Sequence, residues 1–197
     1  MKGYIKLRKR ALEILNSKLS KDLYYHCIHH TLDVLKVINQ YMKREKINGH
    51  KAKLLRIAVL LHDIGYTVSI NDHELRGMEI AEKLMSQFGF SNNHIEIVKG
   101  LILSTRVPQM PKNKFEEMIC DADLDYLGRP DFYKIGDLLY KEMKAYSIIE
   151  NKKDWNKAQI KFLEAHQYHT DFARKNRQPN KEKRIKELKQ WLKTSHK

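Results

Sequence analysis

Apolar residues recur along this chain at intervals of three and four, the spacing that stripes one face of an α-helix, while alternating strand-like runs and hairpin dipeptides are scarce. The pattern predicts an all-α protein. A first amphipathic helix is expected over 5–18, and a second from about His26 to Glu45, closing near Asn48-Gly49. The third, 50–63, is apolar at Leu54, Leu55, Ile57, Ala58, Val59, Leu60 and Leu61, so other helices should wrap it on most sides. Gly65 reads as its C-terminal cap, and Asn71 or Asp72 as the cap of a helix from His73 to Phe88. Ser91 is placed to cap a helix over 92–104. Val107-Pro108-Gln109-Met110-Pro111 cannot continue that helix, because proline lacks the amide donor and restricts the residue before it. Further helices are expected over 113–125, 131–150 and 154–175. A basic last helix runs from Pro179 to near Lys193, with Ile185, Leu188, Trp191 and Leu192 on one stripe.

The 197 residues suffice for one domain with a real core, drawn at 1–175, and a basic helix or tail at 176–197 packed on it. No window approaches the apolar length of a membrane span, and the basic N-terminus is followed by no apolar signal segment. The expectation is a cytoplasmic protein with no membrane partner. Cys27 and Cys120 are too few for a disulfide framework or a thiolate zinc site, and read as packing residues. Thirty-eight Lys and Arg against twenty-four Asp and Glu give a net charge of +14, spread along the chain and densest at residues 2–10 and 174–193. A lysine-rich solvated surface is favoured over a nucleic-acid face, since no helix-turn-helix, zinc-finger or aromatic RNA platform accompanies it.

Chemistry concentrates in an ordered set: Tyr25-His26-Cys27-Ile28-His29-His30, then Leu60-Leu61-His62-Asp63-Ile64-Gly65, then Asp121-Ala122-Asp123-Leu124-Asp125. An apolar helix running straight into a His-Asp pair buries groups that are costly to bury, and a divalent ion satisfies them. Two His and two Asp, His30, His62, Asp63 and Asp123, form a mixed nitrogen and oxygen shell suited to Mn, Fe, Co, Ni or Zn. With positions left open for water, such a shell supports hydrolysis by metal-activated water. His26, one helical turn before His30, faces the same way on the expected helix and is the candidate general acid. Arg106 is a candidate for bidentate phosphate binding. His166 and His169, three apart on the helix expected over 154–175, read as structural.

These motifs resemble the HD superfamily of metal-dependent phosphohydrolases, in which His30, His62-Asp63 and Asp123 match the four defining positions. The resemblance covers about Tyr25 to Asp125. It implies an all-α HD-domain helical bundle with additional C-terminal helices, one firmly held divalent transition metal, and hydrolysis of a nucleotide or other small phosphate ester, with Asp63 counted among the catalytic residues. Tyr25-His26 followed by His30-Thr31-Leu32-Asp33 is similar to a segment of cyclic-nucleotide phosphodiesterases, which implies the acid role for His26; Cys27 stands where those enzymes usually carry asparagine. His73-Glu74-Leu75-Arg76-Gly77 is similar to the segment giving two-metal members a further histidine, and His73 is a candidate substrate contact. Ser104-Thr105 stands where those members tend to have another. That leaves at most a second, weak Mg or Mn ion bridged by Asp63. The segments Leu127–Phe132 and Phe162–Thr170 resemble a bacterial subgroup of the family. The alternatives are a non-catalytic module binding a nucleotide or nucleic acid, and a di-iron HD-fold oxygenase.

Overall fold

The computed structural model describes residues 3–194. Among the described residues every regular element is helical, as the apolar spacing predicts. The chain divides into two compact units, the first ending at Asp123 and the second starting at Leu124. The boundary drawn from sequence was at 175. Residues 195–197 of the expected tail lie outside the described residues.

The first unit contains α1 (Tyr4–Lys18), α2 (Ile28–Arg44), α3 (Gly49–Leu61), α4 (His73–Gln87), α5 (Asn92–Ser104) and α6 (Lys114–Asp123). As its composition demands, α3 is the centre: it packs against α1, α2, α4, α5 and α6, and eight of its thirteen residues are buried. Its last five residues, Ile57 to Leu61, are wholly enclosed, so the backbone that delivers His62 is fixed by packing on every side. Ser91 caps α5 as expected, its hydroxyl accepting from the His94 amide.

Three departures from the sequence reading shape the functional region. First, α2 begins at Ile28, so His26 precedes the helix. Cys27 is extended at φ −101° and ψ 176°, and its carbonyl accepts the first helical bonds, from the amides of His30 and Thr31. Second, α3 stops at Leu61. His62 and Asp63 form the turn into a 3₁₀ segment, Ile64–Thr67.

Third, Gly65 is not a left-handed cap but a close-approach residue within that segment. A Cβ there would lie 1.8 Å from the His73 carbonyl oxygen. Gly65→Ala forces the start of α4 away from the turn that carries His62 and Asp63. Overpacking a rigid backbone contact costs typically 1–3 kcal/mol, so chemical denaturation of this variant should show a loss of about 3 kcal/mol. Asp72, expected as a cap, instead takes the left-handed conformation at φ 52° and makes no side-chain cap bond. Its carboxylate pairs with Arg106 at 3.0 Å.

The second unit contains the 3₁₀ turn Asp125–Gly128 and helices α7 (Phe132–Ala145), α8 (Lys152–Ala165), α9 (Asp171–Asn176) and α10 (Gln178–Thr194). The helix expected to reach residue 150 ends at Ala145, where Ser147 adopts φ +55°. The single helix expected over 154–175 is two. Asn151 and Thr170 cap them, accepting from the amides of Asp154 and Ala173, and residues 166–170 between them are not helical. Lys181 explains how the break is tolerated: this buried side chain donates to the carbonyl oxygen of His166, just past the end of α8. His166 and His169 therefore share no helical face. Leu188 on the expected apolar stripe is buried, and α10 packs on α8 and α9.

Candidate metal centre

The motif residues converge in the first unit. His30 lies in the first turn of α2, His62 and Asp63 come directly after the end of α3, and Asp123 is the last residue of α6. His30 Nε2 stands 3.1 Å from Asp123 Oδ1, 3.3 Å from His62 Nε2 and 3.4 Å from Asp63 Oδ2. His62 Nε2 stands 3.1 Å from Asp63 Oδ2 and 3.4 Å from Asp123 Oδ1. An ion with bonds of about 2.0–2.2 Å holds neighbouring ligand atoms roughly 3 to 3.5 Å apart, so these separations suit a common ion.

Two further observations fit a cation. The Nδ1 of His62 lies 2.8 Å from the Val59 carbonyl oxygen, which can only accept, so Nδ1 carries hydrogen and a neutral ring leaves its Nε2 lone pair facing the cluster. Asp63 Oδ2 is buried and accepts no hydrogen bond, although two imidazole nitrogens stand close. A buried carboxylate oxygen without a hydrogen bond is expensive unless a charge is set beside it. His30, His62 and Asp123 thus form a site able to coordinate one metal ion, and Asp63 Oδ2 lies 3.1 Å from His62 Nε2 beside it.

The electrostatics of the metal-free cluster follow from burial and mutual charge. Burial alone would lower the His62 pKa, but Asp63 and Asp123 outweigh it and raise it well above the ordinary 6.5. For Asp63 burial works upward, yet the His62 charge holds the carboxyl far below the usual carboxylate range. Hydrogen bonds from His30 and His62 likewise overcome burial at Asp123 and hold it at about 2.

Around this cluster lies an aromatic group. The Tyr66 ring stacks on both His26 and His73, at centroid distances of 4.4 and 4.0 Å, and Tyr25 packs on His30 at 4.5 Å. His26 meets His30 edge-on at 5.9 Å, reaching it from the extended segment rather than along a helix face. His73 Nε2 lies 3.6 Å from Asp63 Oδ1 and 3.4 Å from Glu74 Oε1. Burial lowers its pKa against the pull of both carboxylates. Glu74, buried in the first turn of α4, was not singled out from sequence; its only signal was adjacency to His73.

Other candidates separate from the cluster. Arg106 is half exposed and held by Asp72, the residue before His73. Asp125 is in the second unit, where Arg177 binds it at 2.7 Å. Ser104 and Thr105 are buried with their hydroxyls donating to the carbonyls of Leu101 and Ile102. Cys120 donates to the Ser104 carbonyl oxygen, and burial pushes its thiol up to about 12, which makes it a packing residue.

Residues 27–127, slightly more than half of the chain, match the family described as HD domain, and all four donor residues fall within that span. The chain is a member of the HD superfamily of metal-dependent phosphohydrolases. The HD-domain core is followed by extra helices from residue 132 onward. An uncharacterized protein of Clostridium beijerinckii is 27% identical to this HD protein over 113 residues, covering 55% of this chain and 70% of the relative. No helix of the described residues is long and apolar enough to cross a membrane.

Proposed function

We propose that this HD protein is a metal-dependent phosphohydrolase acting on a nucleotide or another small phosphate ester. The observation that carries the reading is the buried His30, His62, Asp63 and Asp123 cluster, with Asp63 Oδ2 lacking any hydrogen bond. These four residues would hold one divalent transition metal. When bound, such an ion polarises a phosphoryl oxygen and lowers the pKa of a coordinated water.

The chain's own groups supply the rest. The Val59 carbonyl keeps the His62 ring oriented with Nε2 toward the cluster. His73 and Glu74 act as positioning residues: the Nε2 of His73 faces Asp63 Oδ1 and steadies that carboxylate with Oδ2 toward the two histidines. His26, half-buried and stacked on Tyr66, delivers a proton to the leaving oxygen. Arg106 spends part of its guanidinium on Asp72 and keeps exposed N–H groups for a phosphate oxygen. A di-iron oxygenase would need further histidines where Ser104 and Thr105 stand, tied to their own helix.

The test is a phosphate-release screen across nucleotides and small phosphate esters with Mn, Mg, Co and Ni. The reading expects release that requires added metal and disappears with chelator. Metal-loaded protein that binds nucleotides but releases no phosphate from any of them would favour a non-catalytic binding module. His26→Gln separates the acid from the metal site. It should lower turnover of esters with poor leaving groups by about 10²–10³, leave esters of acidic phenols nearly unaffected, and keep metal content unchanged.

A further inference from the structure

The second unit contains a cavity of about 310 Å³ that has no part in the metal chemistry. Helix α8 supplies one wall through Trp155, Asn156 and Gln159, α7 supplies Gly136, and α10 closes the other side with Trp191. Four features of this cavity are chemical and independent of the metal centre.

Trp155 is 6% exposed, and its indole Nε1 is fully buried with no hydrogen-bond partner among the described residues. With no surface of its own in the cavity, that nitrogen is not a contact for a ligand, and it is the Trp155 ring that lines the wall. Asn156 and Gln159 are also buried, and the Gln159 amide nitrogen donates to Asn156 Oδ1 at 3.1 Å. That bond uses one donor and one acceptor of the pair and leaves the Asn156 amide N–H groups and the Gln159 carbonyl oxygen for another partner. Gly136 allows Gln159 to approach α7 closely: a Cβ there would stand 3.2 Å from Gln159 Oε1. Finally Trp191, at 39% exposure, is a large aromatic face left open to solvent at the cavity's edge.

We propose that this cavity binds a nucleobase or nucleoside. Paired amide donors and acceptors match the hydrogen-bonding edge of a base, as they do when Asn or Gln reads adenine. Aromatic rings supply the stacking surface. A volume of about 310 Å³ lies at the small end of the range for ligand pockets and fits a base better than a large cofactor. The rim charges argue for an uncharged ligand. Lys152 is paired with Asp137, and Glu187 with Tyr133 and Arg184, so no cation is held ready for a phosphate.

The sequence provides a reporter, because Trp155 and Trp191 are its only tryptophans. Intrinsic tryptophan fluorescence of the full chain, titrated with adenine, adenosine, guanosine and uridine, should show saturable quenching by at least one of them. Calorimetry of the same titration should give one site per chain. Gln159→Leu removes the amide edge and should weaken binding tenfold or more. Trp155→Leu removes a ring from the cavity wall and should weaken it several-fold while Trp191 still reports. Circular dichroism of both variants confirms that they are folded. Asp63→Ala should bind as tightly as the native chain, which separates this site from the phosphohydrolase reading. Absence of saturable binding by all four probes, or binding that both cavity variants leave unchanged, overturns the proposal.

Discussion

Asp63→Ala should abolish metal-dependent phosphate release, by a thousandfold or more, and leave the helical content of the protein unchanged. Of the donor atoms in the cluster, Asp63 Oδ2 is the one that is buried without any hydrogen bond, with only the His62 and His30 ring nitrogens beside it. Removing it takes an anionic ligand from the ion and with it much of the affinity that holds the ion in place. No helix end depends on this carboxylate. Asp63 stands beyond the end of α3, and its side chain caps neither that helix nor the adjoining 3₁₀ turn. The same substitution also removes a principal reason for the raised His62 pKa. Circular dichroism, metal analysis and the phosphate assay on one preparation distinguish this outcome from simple unfolding.

The second large effect is a competition between metal and proton. His62 must give up its Nε2 proton to ligate, and in the metal-free protein its pKa is raised well above 6.5 by Asp63 and Asp123. Metal affinity should therefore fall as pH falls, by about tenfold per pH unit for each proton displaced, once pH drops below the raised His62 value. Competition against a chelator of known proton affinity, repeated across pH, measures the slope.

The stability of the metal-free protein has the opposite dependence. A raised pKa at His62 contributes stability that is fully present below the unfolded value of about 6.5 and is lost as pH rises through the folded value. The depressed pKa values of Asp63 and Asp123 contribute stability present above about 4 and lost as pH falls through the folded values. The metal-free cluster is thus most stabilising between about pH 4 and 6.5. Thermal melts with and without metal should diverge as pH rises above that window. Parallel curves would show that His62 does not exchange its proton for the ion.

The site was legible in the sequence to the extent that it depends on local pattern. His62-Asp63 could be placed because a helix apolar on nearly all sides must be central, and the residues directly after it must then be buried. His30 and Asp123 could be placed from motif spacing. The backbone around them was not legible, because its causes lie elsewhere in the chain. Gly65 looked like a cap after an apolar helix; its actual constraint is the His73 carbonyl, a contact between segments. His26 looked helical because four residues separate it from His30, and nothing local marked Cys27 as extended. Apolar residues continue at helical spacing through Phe162, Leu163, Tyr168 and Phe172 with no Gly or Pro, so 154–175 read as one helix. The break depends on the Thr170 cap and on Lys181 arriving from α10 to take the His166 carbonyl.

The central claim is that His30, His62, Asp63 and Asp123 together hold a divalent ion. Elemental analysis tests it most directly, on native protein, Asp63→Ala and His62→Leu, each incubated with Mn, Fe, Co, Ni and Zn in turn and then desalted. The account predicts about one equivalent of at least one of these metals in the native chain and under a tenth of that in either folded variant. A native chain that retains none of them, or variants that retain as much as the native chain, would contradict it.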